Sequence, residues 1–451
     1  MRRAQAARWT IGLVALMVAC PAFAAGPTPT IDVLHYAVAL EPDLASGRIQ
    51  GTVAIDWRAT QAGVRQLAFD AGELEVTAVS ENGEPLTFNR RDAVLQVDLP
   101  DAAQPRQRRQ VLIRYHGAPR YGLEFHRERD ELYTIFSSSQ WMVCVDAPHE
   151  RATLDLRVSL PAGLVAAGTG RAMAPRRLDD GREQHRWRLR EPAPSFVYGF
   201  AAGRYSEARE RVGGVRLRYL GQGFSTAQLQ QVFADSGDML RFFARRAGLR
   251  PRGDYQQALV AKTIGQELAG LALMSDAYGR KVLDGSENVG LIAHEIAHQW
   301  WGVRVTNRDW GHFWLNEGFA TFMAAAYLQH RLGDEAYLQQ VQRWQQRVAK
   351  LRESGSDHAL VYQQWRTPSA DDRAVVYQKG ALALHELRVL LGEDVFWRGI
   401  RRYTRRFDGQ SVVTDDFRRT MEQASGLDLG AFFAAWATPM ESANVSPVAA
   451  P

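Results

Sequence analysis

The hydrophobic residues of this chain change their spacing near residue 223, and this change constrains the fold more than any other feature. From about residue 30 to 220, apolar and polar residues alternate, most clearly in Ile49–Trp57, Ala93–Leu99, Val111–Tyr115 and Leu154–Leu160. Such alternation is typical of an antiparallel sheet or sandwich with one buried face. The pair Asn82-Gly83 favours a hairpin turn. The first half is therefore predicted to be a structural β-domain.

Beyond Gly223 the apolar residues return at helical spacing. Ser225 can cap a helix that ends near Gly248. Further helices are predicted at about 288–302, 316–331, 334–352, 374–391 and 414–424, with a strand at 257–264. The two halves together predict a multidomain α+β protein.

The N-terminus has the features of a secretory signal peptide. Three arginines precede an apolar run, Trp9–Ala19, and Ala22 and Ala24 occupy the two positions that a signal peptidase reads. We expect cleavage after Ala24 and an exported protein, periplasmic or secreted. Lipoprotein anchoring through Cys20 is the weaker alternative, because residue 17 is not the leucine that a lipoprotein signal favours.

The composition excludes several classes of protein. Only four of the 55 basic residues are lysines, and the arginines are scattered along the chain, so a nucleic-acid partner is not expected. Two cysteines cannot build a disulfide scaffold. No stretch after the signal peptide is long and apolar enough to be an integral membrane segment.

A metal-binding motif decides the chemistry. His294-Glu295-Ile296-Ala297-His298 lies in an apolar helical run, and residues four apart share a helix face, so both imidazoles can bind one metal ion. Glu295 can reach a water on that metal without being a ligand. A catalytic zinc site needs a third protein ligand and one open position. Glu317, which follows His298 after 18 residues, opens the next helical run.

The string from His294 to Phe322, HEIAHQWWGVRVTNRDWGHFWLNEGFATF, closely resembles the aminopeptidase N and leukotriene-A hydrolase family of zinc metallopeptidases, the gluzincins. The resemblance implies one Zn²⁺ per chain, with His294, His298 and Glu317 as ligands and Glu295 as general base. It also implies an N-terminal β-sandwich or saddle domain followed by a thermolysin-like, mainly α-helical peptidase domain.

Two further strings are similar to motifs of the same family. Tyr377-Gln378-Lys379-Gly380 resembles its YxKG helix, which implies that the Tyr377 hydroxyl stabilises the oxyanion. Residues 264–271 resemble the substrate-side strand GAMENxGL, which implies that Glu267 binds the substrate amine and that Gly265 lies in the substrate-binding strand. Leu268 replaces the asparagine of that motif, and an isoleucine replaces its first glycine.

The resemblance extends over nearly the whole mature chain. Trp141–Pro148 looks like the family's WxPCxDxP segment, and Ser195–Gly203 looks like the strand that closes its N-terminal domain. The expected division is a signal peptide at 1–24, a β-domain at 25–205, a catalytic domain at 206–437 and a disordered tail at 438–451. The chain ends without room for the family's C-terminal helical domain, so an open cleft is expected.

The sequence therefore predicts a zinc aminopeptidase that acts on peptides. A zinc endopeptidase is the first alternative, because the altered substrate-side strand could fail to anchor an amine. A hydrolase of a non-peptide substrate such as an epoxide is the second, and a catalytically inactive exported binding protein is the third. The sequence indicates neither the preferred N-terminal residue nor the oligomeric state.

Overall fold

The computed structural model describes residues 30–262, 265–285, 289–363, 365 and 368–437. The predicted signal peptide (1–24) and the predicted tail (438–451) lie outside the described residues, as does Ile264. The strands of the β-rich half are β1 Ile31–Asp43, β2 Arg48–Ala59, β3 Val64–Asp70, β4 Glu75–Glu81, β5 Glu84–Pro85, β6 Phe88–Arg91, β7 Val94–Ala103, β8 Arg108–Gly117, β9 Leu123–His126, β10 Glu131–Thr134, β11 Arg151–Leu160, β12 Val165–Gly168, β13 Arg171–Ala172, β14 Arg176–Arg177, β15 Glu183–Pro194 and β16 Phe200–Gly203.

The second half is mainly helical, in the order that the change of spacing predicts. Its strands are β17 Ser206–Val212, β18 Val215–Gly221, β19 Tyr255–Val260, β20 Gly265–Leu268, β21 Leu271–Ser275, β22 Val305–Asn307 and β23 Gln410–Val412. Its helices are α1 Thr226–Val232, α2 Ser236–Ala247, α3 Asp276–Asp284, α4 Gly290–Ala297, α5 Trp314–Leu332, α6 Asp334–Glu353, α7 Ala370–Ala374, α8 Gly380–Leu391, α9 Glu393–Arg406, α10 Thr414–Ser425 and α11 Gly430–Ala437. A π-helical turn, Val375–Lys379, joins α7 to α8.

The β-domain is built on a nine-stranded sheet in the order β13-β15-β11-β1-β2-β8-β4-β5, with β14 beside β15. The predicted turn is present, since Asn82 and Gly83 have φ angles of 52° and 89° and join β4 to β5. The sheet is antiparallel as predicted except at one place, where β1 and β11 pair in parallel. Alternation of apolar and polar residues indicates which face of a strand is buried, but not the direction of the strand. A long segment of chain separates β1 from β11, so the two strands could pair in either direction.

The two halves each have their own core and meet through a third cluster of apolar residues. This cluster packs the four-stranded sheet β12-β16-β10-β9 against the five-stranded sheet β17-β18-β19-β21-β20. Strand β20 is at the edge of that second sheet. The contact between the sheets therefore fixes β20 against the β-domain. Within the described residues, no helix is both long enough and apolar enough to cross a membrane.

The helix predictions are right in place but not always in length. Ser225 caps α1 as predicted, since its hydroxyl accepts a hydrogen bond from the amide of Gln228. The single helix expected from Ser225 to Gly248 is two helices, because the chain turns after Val232. Ser236, at the start of α2, is fully buried and accepts a hydrogen bond from Gln257 of β19. This contact with the sheet holds α2 on a separate axis.

Two other predicted elements also end earlier than expected. The helix predicted at 288–302 ends at Ala297, and Gly302, with a φ of 135°, allows the chain to turn towards β22. The strand predicted at 257–264 covers 255–260 in β19, and the chain pairs again in β20. Both differences depend on turns that a count of apolar residues does not detect.

Candidate active site

Helices α4 and α5 bring three possible metal ligands together. His294 and His298 lie one turn apart at the end of α4, and Glu317 lies in the first turn of α5. The Nε2 atoms of the two histidines are 3.0 Å apart. The Oε2 atom of Glu317 is 3.2 Å from Nε2 of His294 and 3.4 Å from Nε2 of His298. The structure thus brings together all three residues that the sequence predicted as ligands.

The donor set fits a zinc ion. Donors at about 2.0–2.2 Å from one tetrahedral zinc lie about 3.3–3.6 Å from each other, close to the separations of these three atoms. The Nδ1 atom of His298 lies 3.0 Å from the carbonyl oxygen of Trp301, and Nδ1 of His294 lies 3.4 Å from the hydroxyl of Thr321. A carbonyl oxygen can only accept, so a neutral His298 carries its proton on Nδ1 and has its Nε2 lone pair free for a metal, and both contacts orient the rings.

Buried carboxylates give the site a strong preference for a cation. Although burial opposes it, His298 lowers the pKa of the Glu317 carboxyl to about 2. Burial raises the pKa of Glu267 to about 7 and raises the pKa of Glu295 well above its usual range. Each of these two carboxyl groups would be more stable as the anion beside a positive charge. The electrostatics therefore agree with the geometry of the donor set.

Glu295 is buried beside the three possible ligands. Its side chain is 2% exposed, and its Oε2 atom has no hydrogen-bond partner in the described residues. A buried carboxylate oxygen without a partner is costly, and a water beside the three ligands would remove that cost. The predicted position of Glu295, next to the ligands but outside them, is what the structure shows.

Gly265 lies against Glu295. A Cβ atom at Gly265 would be 2.6 Å from Oε1 of Glu295 and 2.9 Å from Leu291, so a side chain there would displace one or both of them. The sequence predicted Gly265 as part of the substrate-binding strand, and that role stays a prediction. The structure adds a packing reason for glycine at this position.

Glu267 lies two residues further along β20 and is 5% exposed. Its carboxylate, that of Glu295 and the His298 ring have ligand atoms within 4.8 Å of one another, so the side chain faces the same space. Since β20 is at the edge of its sheet, an extended peptide could pair with it beside Glu267. The side chain of Gln299 holds the end of this strand by bonding the carbonyl of Leu268 and the amide of Gly270. Sequence reasoning missed Gln299, although it directly follows the second histidine.

Tyr377 reaches the same space from the π-helical turn. Its ring stacks on that of His294, with centroids 5.8 Å apart and planes 8° from parallel. Burial raises the pKa of its hydroxyl, and the carboxylates of Glu317, Glu267 and Glu295 raise it further, so the hydroxyl stays protonated. All of the predicted catalytic, metal-binding and amine-binding side chains therefore converge on one place.

Two glycines meet where α5, which carries Glu317, passes the start of α8, next to the turn that carries Tyr377. A Cβ atom on Gly318 would be 3.0 Å from backbone atoms of Gly380, and one on Gly380 would be equally close to Gly318. Helices approach this closely only where both carry glycine. Sequence reasoning missed the contact, although both glycines belong to the strings that carried the resemblance.

The converging groups line a cavity of about 420 Å³ that extends between α4, α5 and α6. Leu291, Leu328 and Trp344 supply apolar walls away from the ligands. A larger cavity of about 970 Å³ lies in the β-domain, lined among others by Asp56 and Arg109. It contains none of the candidate site residues, so the chemistry points to the smaller cavity.

Family comparisons agree with both halves of the fold. The family model described as the Peptidase M1 N-terminal domain matches residues 33–197, and the Peptidase family M1 domain matches residues 268–436. Leucine aminopeptidase 2 of Aspergillus oryzae is 27% identical over 296 residues, which are 64% of this chain and 47% of that protein. The Coccidioides immitis protein of the same name is 27% identical over 286 residues, 61% of this chain and 45% of its own length. The chain thus spans about half the length of the curated relatives it matches.

Solved structures share the fold over almost the whole described chain. An M1 zinc metallopeptidase from Deinococcus radiodurans superposes with a TM-score of 0.79 at 24% identity, covering 94% of this chain and 97% of that one. A variant of the Deinococcus protein has been solved with the peptide Tyr-Ser-Ala bound as substrate. Yeast LTA4 hydrolase superposes with a TM-score of 0.78 at 19% identity, covering 92% of this chain and 69% of that one. The β-rich domain followed by a mainly helical domain is therefore a two-domain arrangement seen in these structures.

Proposed function

This chain belongs to peptidase family M1, and from that premise we propose that it is a zinc-dependent aminopeptidase that removes N-terminal residues from peptides. The observation that carries the proposal is the convergence of three ligand atoms within 3.4 Å of one another beside the unpartnered, buried oxygen of Glu295. This arrangement would provide a metal site and a base on one side of a cavity of about 420 Å³.

His294, His298 and Glu317 would hold one zinc ion through the atoms that already face each other. When bound, zinc polarises the scissile carbonyl and lowers the pKa of a water. Glu295 takes the proton from the attacking water and returns it to the leaving nitrogen. Its carboxyl group is buried next to the three candidate ligands, where it could accept that proton and pass it on.

Tyr377 and Glu267 act on the substrate. The protonated Tyr377 hydroxyl donates a hydrogen bond to the oxyanion that develops during attack. The Glu267 carboxylate pairs with the free α-amino group, and edge strand β20 pairs with the peptide backbone. Together these contacts would fix cleavage after the first residue.

A panel of amino-acid arylamides tests the proposal. The free amides and their N-acetylated forms are assayed with the full chain, with a chelator, and after zinc is added back. We expect turnover of the free amides only, abolished by the chelator and restored by zinc. Turnover of the N-blocked amides would instead identify an endopeptidase, and a chain with bound zinc but no turnover of either set would be an inactive binding protein.

A further inference from the structure

Lys379 is a buried lysine that contacts no metal ligand, although it lies two residues after Tyr377. Lys379 is 6% exposed. Its ammonium group donates one hydrogen bond to Oδ1 of Asp357 at 2.5 Å and another to the carbonyl oxygen of His358 at 2.6 Å. Burying an ammonium group is costly unless it is paired. The predicted chemistry of the site does not need this charge, so its burial has another reason.

The partner of Lys379 is itself firmly held. The amides of Ser356 and Asp357 both bond the carbonyl of Leu351, at the end of α6. The Nε atom of Arg352 lies 3.3 Å from Oδ2 of Asp357. Asp357 is therefore a fixed point on the end of a 20-residue helix.

Tyr377 and Lys379 lie on opposite sides of the π-helical turn. Two residues turn the chain by about 200° in an α-helix, and by somewhat less in a π-helix, whose turns contain more residues. The ring of Tyr377 faces His294, and the ammonium group of Lys379 faces Asp357. Any rotation of the turn about its axis would move both side chains together.

The glycine contact next to this turn does not set its rotation. Gly318 and Gly380 fix how closely α5 and α8 approach, but neither has a side chain that could resist rotation. A π-turn holds one more residue per turn than an α-helix, and such turns occur mainly at functional sites. The turn at 375–379 needs a contact that selects this geometry over the α-helical one.

We propose that Lys379 is a positioning residue for the reaction: its bonds to Asp357 and His358 fix the rotation of the π-helical turn and thereby aim the Tyr377 hydroxyl at the reacting carbonyl. This inference rests on the proposed role of Tyr377 in stabilising the oxyanion. Lys379 itself is neither one of the three candidate ligands nor one of the residues that line the cavity. Its contribution to turnover passes entirely through Tyr377.

A double-mutant cycle tests this coupling in the full chain with zinc bound. The proteins compared are the wild type, Lys379→Met, Tyr377→Phe and the double variant, and kcat, KM and zinc content are measured for each on one arylamide. Lys350→Met, at an exposed lysine of α6, is the matched control for the loss of a lysine. Replacing an oxyanion donor costs about 10²–10³-fold in kcat. We expect Lys379→Met to lose about 10-fold in kcat with KM and zinc content unchanged, and to lose nothing further in the Tyr377→Phe background.

The outcomes separate this inference from the proposed function. If Tyr377→Phe lowers kcat but Lys379→Met does not, the positioning role is wrong and the function stands. If Lys379→Met lowers kcat equally in the wild type and in Tyr377→Phe, or only because zinc is missing, its role is structural and the inference is overturned. A normal kcat for Tyr377→Phe would remove the role of Tyr377 and this inference with it. If Lys379→Met fails to fold, Asp357→Asn replaces it in the cycle. We then expect kcat to fall by about 3-fold in the protein that retains Tyr377, and not to fall further in the Tyr377→Phe variant.

Discussion

The contact between Gly318 and Gly380 makes the substitution Gly318→Ala a sharp test of how the site is assembled. The added methyl group would lie 3.0 Å from Cα and C of Gly380 and 3.2 Å from the carbonyl oxygen of Val376. Non-bonded carbon atoms prefer about 3.5–4.0 Å, so α5 and α8 must separate by a few tenths of an ångström. The neighbours are backbone atoms and cannot move aside as a flexible side chain can.

Two opposing effects on the free energy of unfolding partly cancel in this variant. Overpacking costs about 1–3 kcal/mol, whereas alanine in place of glycine favours a helix by about 1 kcal/mol. We therefore expect the free energy of unfolding to fall by no more than about 2 kcal/mol. For kcat, by contrast, no favourable effect of the alanine offsets the displacement. A misplacement of about 1 Å can cost about 10²-fold in rate, so a shift of a few tenths of an ångström between Tyr377 and Glu317 should cost up to about 10-fold in kcat, or about 1.4 kcal/mol in the activation free energy.

The assay measures kcat and KM on one arylamide together with zinc content and thermal unfolding. Gly399→Ala is the matched control, because its methyl group would also be crowded, 2.5 Å from the sulfur of Met421, but in α9, which carries no site residue. The control should lose stability and keep its kcat. A Gly318→Ala protein with full zinc content and wild-type kcat would refute the claim that this contact sets the position of Tyr377.

Four further predictions concern the site and the N-terminus. Glu295→Gln should keep zinc but lose about 10²–10⁴-fold in kcat, because the amide cannot accept the proton; near-normal turnover with bound zinc would exclude Glu295 as the base. Tyr377→Phe should lower kcat by about 10²–10³-fold with little change in KM, and an effect confined to KM would mean that the hydroxyl only binds substrate. Removing zinc with a chelator should lower Tm reversibly, since a ligand present at about 1,000 times its Kd stabilises the folded state by about 4 kcal/mol; an unchanged Tm in calorimetry would contradict a metal held by His294, His298 and Glu317. Mass spectrometry of the exported protein should find Ala25 at its N-terminus, and a retained Cys20 carrying lipid would support the alternative signal.

The sequence determined much of the site because its information is local. A spacing of four residues on a helix places His294 and His298 on one face whatever surrounds them, and Glu295 follows from the same geometry. Period-two alternation likewise identified the buried faces of the β-domain. The turn at Asn82-Gly83 and the cap at Ser225 were predictable because each depends only on the residues beside it.

The remaining features depend on contacts between residues that are distant in the chain. The parallel pairing of β1 with β11, the break between α1 and α2 and the edge position of β20 each depend on a partner that local patterns do not specify. Gly318, Gly380 and Lys379 belong to the sequence motifs, but the motifs do not show why these residues are needed. Only the tertiary structure shows that two glycines let the helices touch and that the buried Lys379, in the turn carrying Tyr377, pairs with Asp357, because packing and the pairing of buried charge are decided between elements and not within them.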